Sequence, residues 1–158
     1  MEFVPDVKDR VLLRHLQHDA RLTSSELGRL VGLSASGVQK RLRKLEESGI
    51  VKKYPTVLDR KKLGFDLAIF VQVTIEGHTP ALVRAFDEAI QQMPEVLECH
   101  RVTGDADYLL KVIVRDHAEL DHFLMNRLLP LPSVARVNSN LVLKAVKETT
   151  AIGLDDPA

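Results

Sequence analysis

With Cys99 as its one cysteine in 158 residues, the chain has no intramolecular disulfide and no cysteine-rich zinc motif, and it suits a reducing compartment. No apolar run approaches the roughly 20 residues that cross a bilayer. The start, Met1-Glu2-Phe3-Val4-Pro5, has no basic stretch leading into an apolar one. The expectation is a cytoplasmic protein, neither secreted nor membrane-bound. Also missing are a phosphate-cradling glycine loop, a dinucleotide fingerprint and a nucleophile–base–orienter pattern, so no catalytic residue and no cofactor is assigned. His15 and His18 beside Asp19, and His117 and His122 around Asp121, complete no recognised ligand spacing. No metal is assigned either.

The net charge is zero, but it is unevenly spread. Residues 1–62 hold 14 basic and 8 acidic side chains, and residues 63–158 hold 8 basic and 14 acidic ones. A basic front half joined to an acidic back half points to nucleic-acid binding in the first and another task in the second. The apolar content of 45% suffices for a buried core in each.

The front half reads as three helices. Asp6 caps a first helix in which Val7, Val11, Leu12 and Leu16 recur at helical spacing, ending near Asp19-Ala20. Thr23 caps a second and Glu26 closes a capping box; Gly32 makes a tight turn, and Ser34 caps a third. That is a helix-turn-helix. On the third helix Val38, Leu42 and Leu45 share one face, while Ser36, Lys40 and Arg43 point the other way, flanked by Gln39 and Lys44. The outward set suits DNA: Gln39 matches adenine edges, Lys40 and Arg43 match guanine N7 and O6, and Ser34 and Ser36 fit phosphates or bases. Lys44, Lys52 and Lys53 suit phosphates. Arg41 lies beside the apolar seam, and its guanidinium is expected to meet a carboxylate of the first helix. Ser48-Gly49 stops the third helix, and Ile50 to Tyr54 reads as a short wing strand, giving a winged helix-turn-helix over 1–56. A charged connector over 57–64 ends in Gly64.

From Phe65 the period changes to two: Leu67, Ile69, Val71, Val73 and Ile75 alternate with Ala68, Phe70, Gln72 and Thr74. Thr79-Pro80 opens a helix with Val83, Phe86, Ile90 and Met93 inward. Val96–Thr103 and Tyr108–Val114 are strands joined through Gly104-Asp105-Ala106-Asp107. Asp116 caps a second helix with Leu120, Phe123, Leu124 and Leu128 inward, and a last strand runs from Val134 to Leu143. The order βαββαβ over 65–149 is ferredoxin-like, followed by a tail over 150–158, and the whole chain is α+β. Both helices then cover one face of the sheet. Ala68, Phe70 and Cys99 are expected on the other, and a partly apolar open face calls for a second copy of the chain. Cys99 itself reads as a small buried residue.

With both halves read, the chain resembles the Lrp/AsnC (leucine-responsive, feast/famine) family of prokaryotic transcription factors. The resemblance rests on Asp9-Arg10, Leu16-Gln17, Gly32-Leu33-Ser34, Arg41 to Glu46, Gly49-Ile50-Val51, Glu98-Cys99-His100 and Thr103 to Lys111, in that order and spacing. It departs modestly at Ala35 and Gly37 in the recognition helix, where glycine costs about 1 kcal/mol. What the resemblance implies is a sequence-specific regulator that binds double-stranded DNA as a homodimer, assembles further into an octamer and responds to a small molecule, an amino acid in many members. It further implies an effector site between dimers at Gly104, Asp105 and Asp107, with His117, Ser139, Asn140 and Leu141. Turn chemistry alone is the plainer reading of Gly104 to Asp107, and the resemblance tips the balance towards the effector site. Two rivals share the build: a sirohaem decarboxylase-like enzyme using His100 or His117 with Arg101, and a nucleoid-organising protein with little effector response. The exposed basic helix speaks against the enzyme.

Overall fold

The computed structural model describes residues 3–77 and 79–154. The chain forms two compact units, residues 1–57 with 147–158, and residues 58–146.

The first unit carries α1 (Val7–His18), α2 (Ser24–Val31) and α3 (Ala35–Glu47). Each begins at the expected cap. Asp6 and Asp9 form a reciprocal capping box on α1, Thr23 and Glu26 another on α2, and the Ser34 hydroxyl accepts the Gly37 N–H on α3. Leu12, Leu27, Val31 and Val38 form the core, with Val11, Leu16, Leu22, Leu33 and Leu42 packed around it. Val7, counted among the helix's periodic apolar residues, is exposed.

Gly32 turns the chain at φ 64°, a left-handed conformation that L side chains adopt at a cost. A second glycine matters more and was not singled out in the sequence. At Gly28 a Cβ would lie 2.5 Å from the Leu33 carbonyl oxygen, so α2 and the start of α3 approach through the missing side chain. The Leu33 N–H donates back to the Gly28 carbonyl at 2.9 Å.

The wing expected at Ile50 to Tyr54 is not a strand. Among the described residues, 51–59 form neither strand nor helix, and no other strand lies in this unit for the segment to pair with. A strand needs a ladder partner for its N–H and C=O groups. The segment is held instead by the Val51 N–H on the Leu45 carbonyl (3.2 Å) and by the Tyr54 hydroxyl donating to Glu46 (2.7 Å). The segment set apart in sequence as a tail returns to α1: Arg14 donates to the Leu154 carbonyl at 3.0 Å, and Gln17 bonds both backbone groups of Ile152. Residues 155–158 of that tail lie outside the described residues.

The second unit opens with a short 3₁₀ turn, Lys61–Leu63, inside the expected connector. Then follow β1 (Leu67–Ile75), α4 (Pro80–Gln91), β2 (Val96–Arg101), β3 (Tyr108–Val114), α5 (His117–His122), prolonged by a wide turn over Phe123–Leu128, and β4 (Val134–Leu141). The sheet order is β2-β3-β1-β4, with every neighbouring pair antiparallel. This is the ferredoxin-like arrangement read from the sequence. Ile69, Val71, Val73 and Ile75 of β1, with Tyr108, Leu110, Val112 and Val114 of β3, bury one face beneath Phe86, Ile90, Met93, Phe123 and Leu128. The uncovered face carries Phe70, opposite Lys111 and Asn140, and Gln72, opposite Leu109 and Asn138.

Cys99 is a correction on two counts. It lies opposite Leu110, a core residue, so it belongs to the helix-covered side of the sheet, and it is exposed rather than buried. The register shift between Val96 and Glu98 is the reason, because one extra residue in β2 moves the side chains beyond it to the other face.

Candidate nucleic-acid interface and effector hollow

α3 presents two faces of opposite character. Val38 and Leu45 are fully buried, whereas Ser36, Gln39, Lys40, Arg43 and Lys44 are all exposed. Ser34 is engaged as the helix cap, and its hydroxyl also meets that of Ser36 at 3.1 Å. The Lys44 ammonium sits 4.3 Å from the centre of the Phe3 ring, a cation–π contact at the end of the helix. Lys52 and Lys53 are exposed on the segment tethered by Tyr54, whose hydroxyl is pushed up to about 12 by burial and by the Glu46 carboxylate.

Arg41 does what its position on the seam implies. One guanidinium nitrogen reaches Asp6 at 2.7 Å and Asp9 at 2.8 Å, tying α3 to the first turn of α1. Asp9 is only 3% exposed, so Arg41 is the cation that compensates a buried carboxylate. Asp6 lies below its ordinary value, first because the Asp9 N–H donates to it and then because of Arg41. The outward row of α3 is thus aimed by a fixed ion-pair cluster behind it.

The residues expected around the effector do not converge within one chain. Gly104, Asp105 and Asp107 lie in the loop before β3, at the end of β1 marked by Val73 and Ile75. His117 follows the opposite end of β3, and Leu67 pairs with Val114 there. A seven-residue strand spans about 20 Å, which separates the two groups. Ser139, Asn140 and Leu141 lie on the edge strand β4, opposite Val71, Phe70 and Ile69, towards the His117 end.

Asp107 braces the loop. Its carboxylate accepts the Ile75 N–H at 2.9 Å, its N–H donates to the Val73 carbonyl and its carbonyl accepts the Val102 N–H. Asp105 is exposed beside a hollow of about 300 Å³ lined by Gln72, Val102, Thr103, Asp105, Ala106 and Leu109, reached from the uncovered side of the sheet. A larger open groove of about 470 Å³ runs between α4 and β2, where Asp87 accepts the Tyr108 hydroxyl at 3.0 Å. Burial and Asp87 raise Tyr108 to about 12, and the Cys99 thiol, open to solvent but partly desolvated by the walls of this groove, is raised to about 11 by that desolvation and by Asp87. A thiol held that high is protonated at neutral pH and a poor nucleophile. Asp116 is a helix cap, accepting the Glu119 N–H at 2.9 Å, as its sequence context implies.

A helix-turn-helix with one polar, basic, outward face, joined to a ferredoxin-like unit with hollows at its sheet, defines a two-domain DNA-binding regulator. The comparisons agree. The AsnC-type helix-turn-helix domain matches residues 6–46, and the Lrp/AsnC ligand binding domain matches residues 68–152. The Bkd operon transcriptional regulator of Pseudomonas aeruginosa is 39% identical over 138 residues, 87% of this chain and 90% of its own. The leucine-responsive regulatory protein of Escherichia coli is 36% identical, over 91% of this chain and 88% of its own. Among solved structures, a transcriptional regulator of Neisseria meningitidis in complex with L-Met superposes with a TM-score of 0.93 at 35% identity, covering 96% of this chain and 98% of that one.

The chain belongs to the Lrp/AsnC family of transcriptional regulators. It is a regulator and not an enzyme, which removes the decarboxylase reading: the relatives that match nearly full length are named for regulation. No helix among the described residues is long and apolar enough to cross a membrane.

Proposed function

We propose that the protein reads operator DNA through Gln39, Lys40 and Arg43, holds the backbone through Ser34, Ser36, Lys44, Lys52 and Lys53, and tunes this binding to an amino acid. The observation that carries the reading is the two-faced α3, buried and ion-paired behind and exposed along one polar row in front. Sensing of an amino acid is supported by the L-Met complex of the Neisseria relative. The hollow beside Asp105 is where a zwitterion meets an exposed carboxylate for its ammonium. The backbone N–H groups of the loop serve its carboxylate.

The ligand site, with Ser139, Asn140 and Leu141 on the edge strand, is completed by a second copy, since Gly104, Asp105 and Asp107 lie about a strand's length from His117 of the same chain. Phe70, 40% exposed on the uncovered sheet face, is an apolar surface that a homodimer covers, and four dimers closing into an octamer supply the interfaces between dimers. In the domain division the reading head is joined by a connector to an effector and assembly domain that ends at residue 146, and the residues from 147 onward go with the head. The regulator works in the cytoplasm on the nucleoid.

Substitution separates the roles on the DNA side. Gln39→Ala and Arg43→Ala are expected to flatten sequence preference, each by roughly 1–3 kcal/mol of discrimination, and Lys52→Ala to weaken specific and random duplexes alike while lowering the salt slope. Binding isotherms on operator and random duplexes at several salt concentrations decide it, with light scattering of the same preparations reporting at least a dimer. Equal losses on both duplexes for all three variants, or a monomer, contradict the assignment.

A further inference from the structure

We propose that residues 147–154 are a strap through which occupancy of the effector unit reaches the recognition helix, with Gln17 as its positioning residue. The proposal rests on the amino-acid-sensing reading above. The chain leaves the reading head after residue 57 and re-enters it at residue 147, so the effector unit is an insertion with two covalent connections to the head. Neither connection is carried by helix or strand, since 51–59 and 142–154 both lack them, so what distinguishes the second is where its ends are bonded. The second starts from the sheet itself. β4 ends at Leu141, and the next residue still bonds the sheet, the Val142 N–H donating to the Ala68 carbonyl at 2.8 Å.

The far end of the strap is fixed by side chains of α1. The Gln17 amide reads both backbone groups of one residue, as a neighbouring strand would. Its Oε1 accepts the Ile152 N–H at 2.6 Å, and its Nε2 donates to the Ile152 carbonyl at 3.1 Å. Arg14, one turn earlier on the same face, donates to the Leu154 carbonyl at 3.0 Å. The Ile152 side chain is 72% exposed, so the hold is made by hydrogen bonds rather than by apolar burial, and it is releasable.

What the strap holds is connected to the DNA-reading surface. α1 carries Asp6 and Asp9, and both grip Arg41 of α3. From Ile152 to Gln17, along α1, and from Asp6 and Asp9 to Arg41, each step is a short polar contact or a rigid helix. An effector alters DNA affinity only by as much as it favours one state of the head over another. A second connection, bonded to the sheet at Val142 and to α1 at Ile152 and Leu154, gives it a second lever on the head.

A double-mutant cycle tests this and separates it from a direct role of Gln17 at DNA or in stability. Four full-assembly proteins are compared: the native chain, Gln17→Met, a chain ending at Val146, and both changes together. Each is titrated with L-methionine by calorimetry, or with whichever of the twenty amino acids gives heat, and its operator affinity is measured with and without that ligand. The native protein is expected to show a ligand-dependent change of about tenfold or more. Gln17→Met and the shortened chain are each expected to cut that change at least about fivefold at unaltered ligand heat, and Gln17→Met is expected to add nothing once the strap is gone. A response that survives Gln17→Met overturns the proposal, as does a further effect of Gln17→Met in the shortened chain. Should the shortened chain unfold, Gln17→Met alone decides on the same ratio. A native protein without ligand heat overturns the sensing reading and the strap with it, whereas native coupling that persists in the variants overturns the strap alone.

Discussion

Gly28→Ala is expected to cost the reading head about 2–3 kcal/mol and to lower its melting temperature by roughly 10–20 °C. The added methyl would lie 2.5 Å from the Leu33 carbonyl oxygen and 3.5 Å from its carbon. The obstacle is backbone, and backbone moves only if the turn between α2 and α3 opens. With a domain's net stability on the order of 5–15 kcal/mol, that is a large fraction of what keeps the helix-turn-helix folded. Gly32→Ala is the control, because a methyl there meets nothing within 4 Å and the strain comes only from φ 64°. It should cost about 1–2 kcal/mol. Thermal unfolding followed by circular dichroism, with operator binding on the same samples, measures both. Equal losses at the two glycines contradict the close approach at Gly28.

The second large effect is expected at Arg41. Arg41→Met keeps most of the stem but strands Asp9, 3% exposed, without its cation. Removing one partner of a buried pair costs about 3–5 kcal/mol. The guanidinium here is partly exposed, its side chain at 31%, which places the loss nearer 2–3 kcal/mol. The pH dependence follows from Asp6, whose folded-state value is held below its ordinary 3.8. A depressed carboxyl contributes stability that is complete above its unfolded value and is lost as pH falls through the folded one. Only the part of that depression supplied by Arg41, second to the Asp9 N–H, differs between the two proteins, so their gap should stay level from about pH 7 to about pH 4 and narrow as pH falls further. Denaturant titrations across this range test it; a gap that does not narrow below about pH 4 contradicts a contribution of the Asp6–Arg41 pair.

The caps, the helix-turn-helix and the βαββαβ order were legible because each is written in local chemistry. Asp6, Thr23 and Ser34 announce helix starts by residue type, and the change of period at Phe65 announces a sheet. Arg41 was legible too, since a cation beside an apolar seam has few places to put its charge. What failed depended on partners far along the chain. Ile50 to Tyr54 has strand composition, but no strand of its own unit lies beside it. Cys99 sits on the other face because of a bulge at Val96–Glu98 that alternation alone does not reveal.

The close approach at Gly28 and the grip of Gln17 on Ile152 carry no local signature, since each partner is chosen by the fold. The effector residues illustrate the same limit. The family resemblance places Asp105 and His117 in one expected site between dimers, and the strand directions put the two at opposite ends of β3 within one chain.

On the proposed reading, one chain reads DNA with α3 and adjusts that reading to an amino acid. The most direct measurement is the affinity of the assembled protein for its operator duplex across the twenty amino acids, with calorimetric titration of each in parallel. At least one amino acid is expected to give saturable heat and to shift operator affinity about tenfold, and Arg43→Ala to remove the operator preference while leaving that heat intact. Heat from none of the twenty, or saturable binding that leaves operator affinity unchanged, would contradict it.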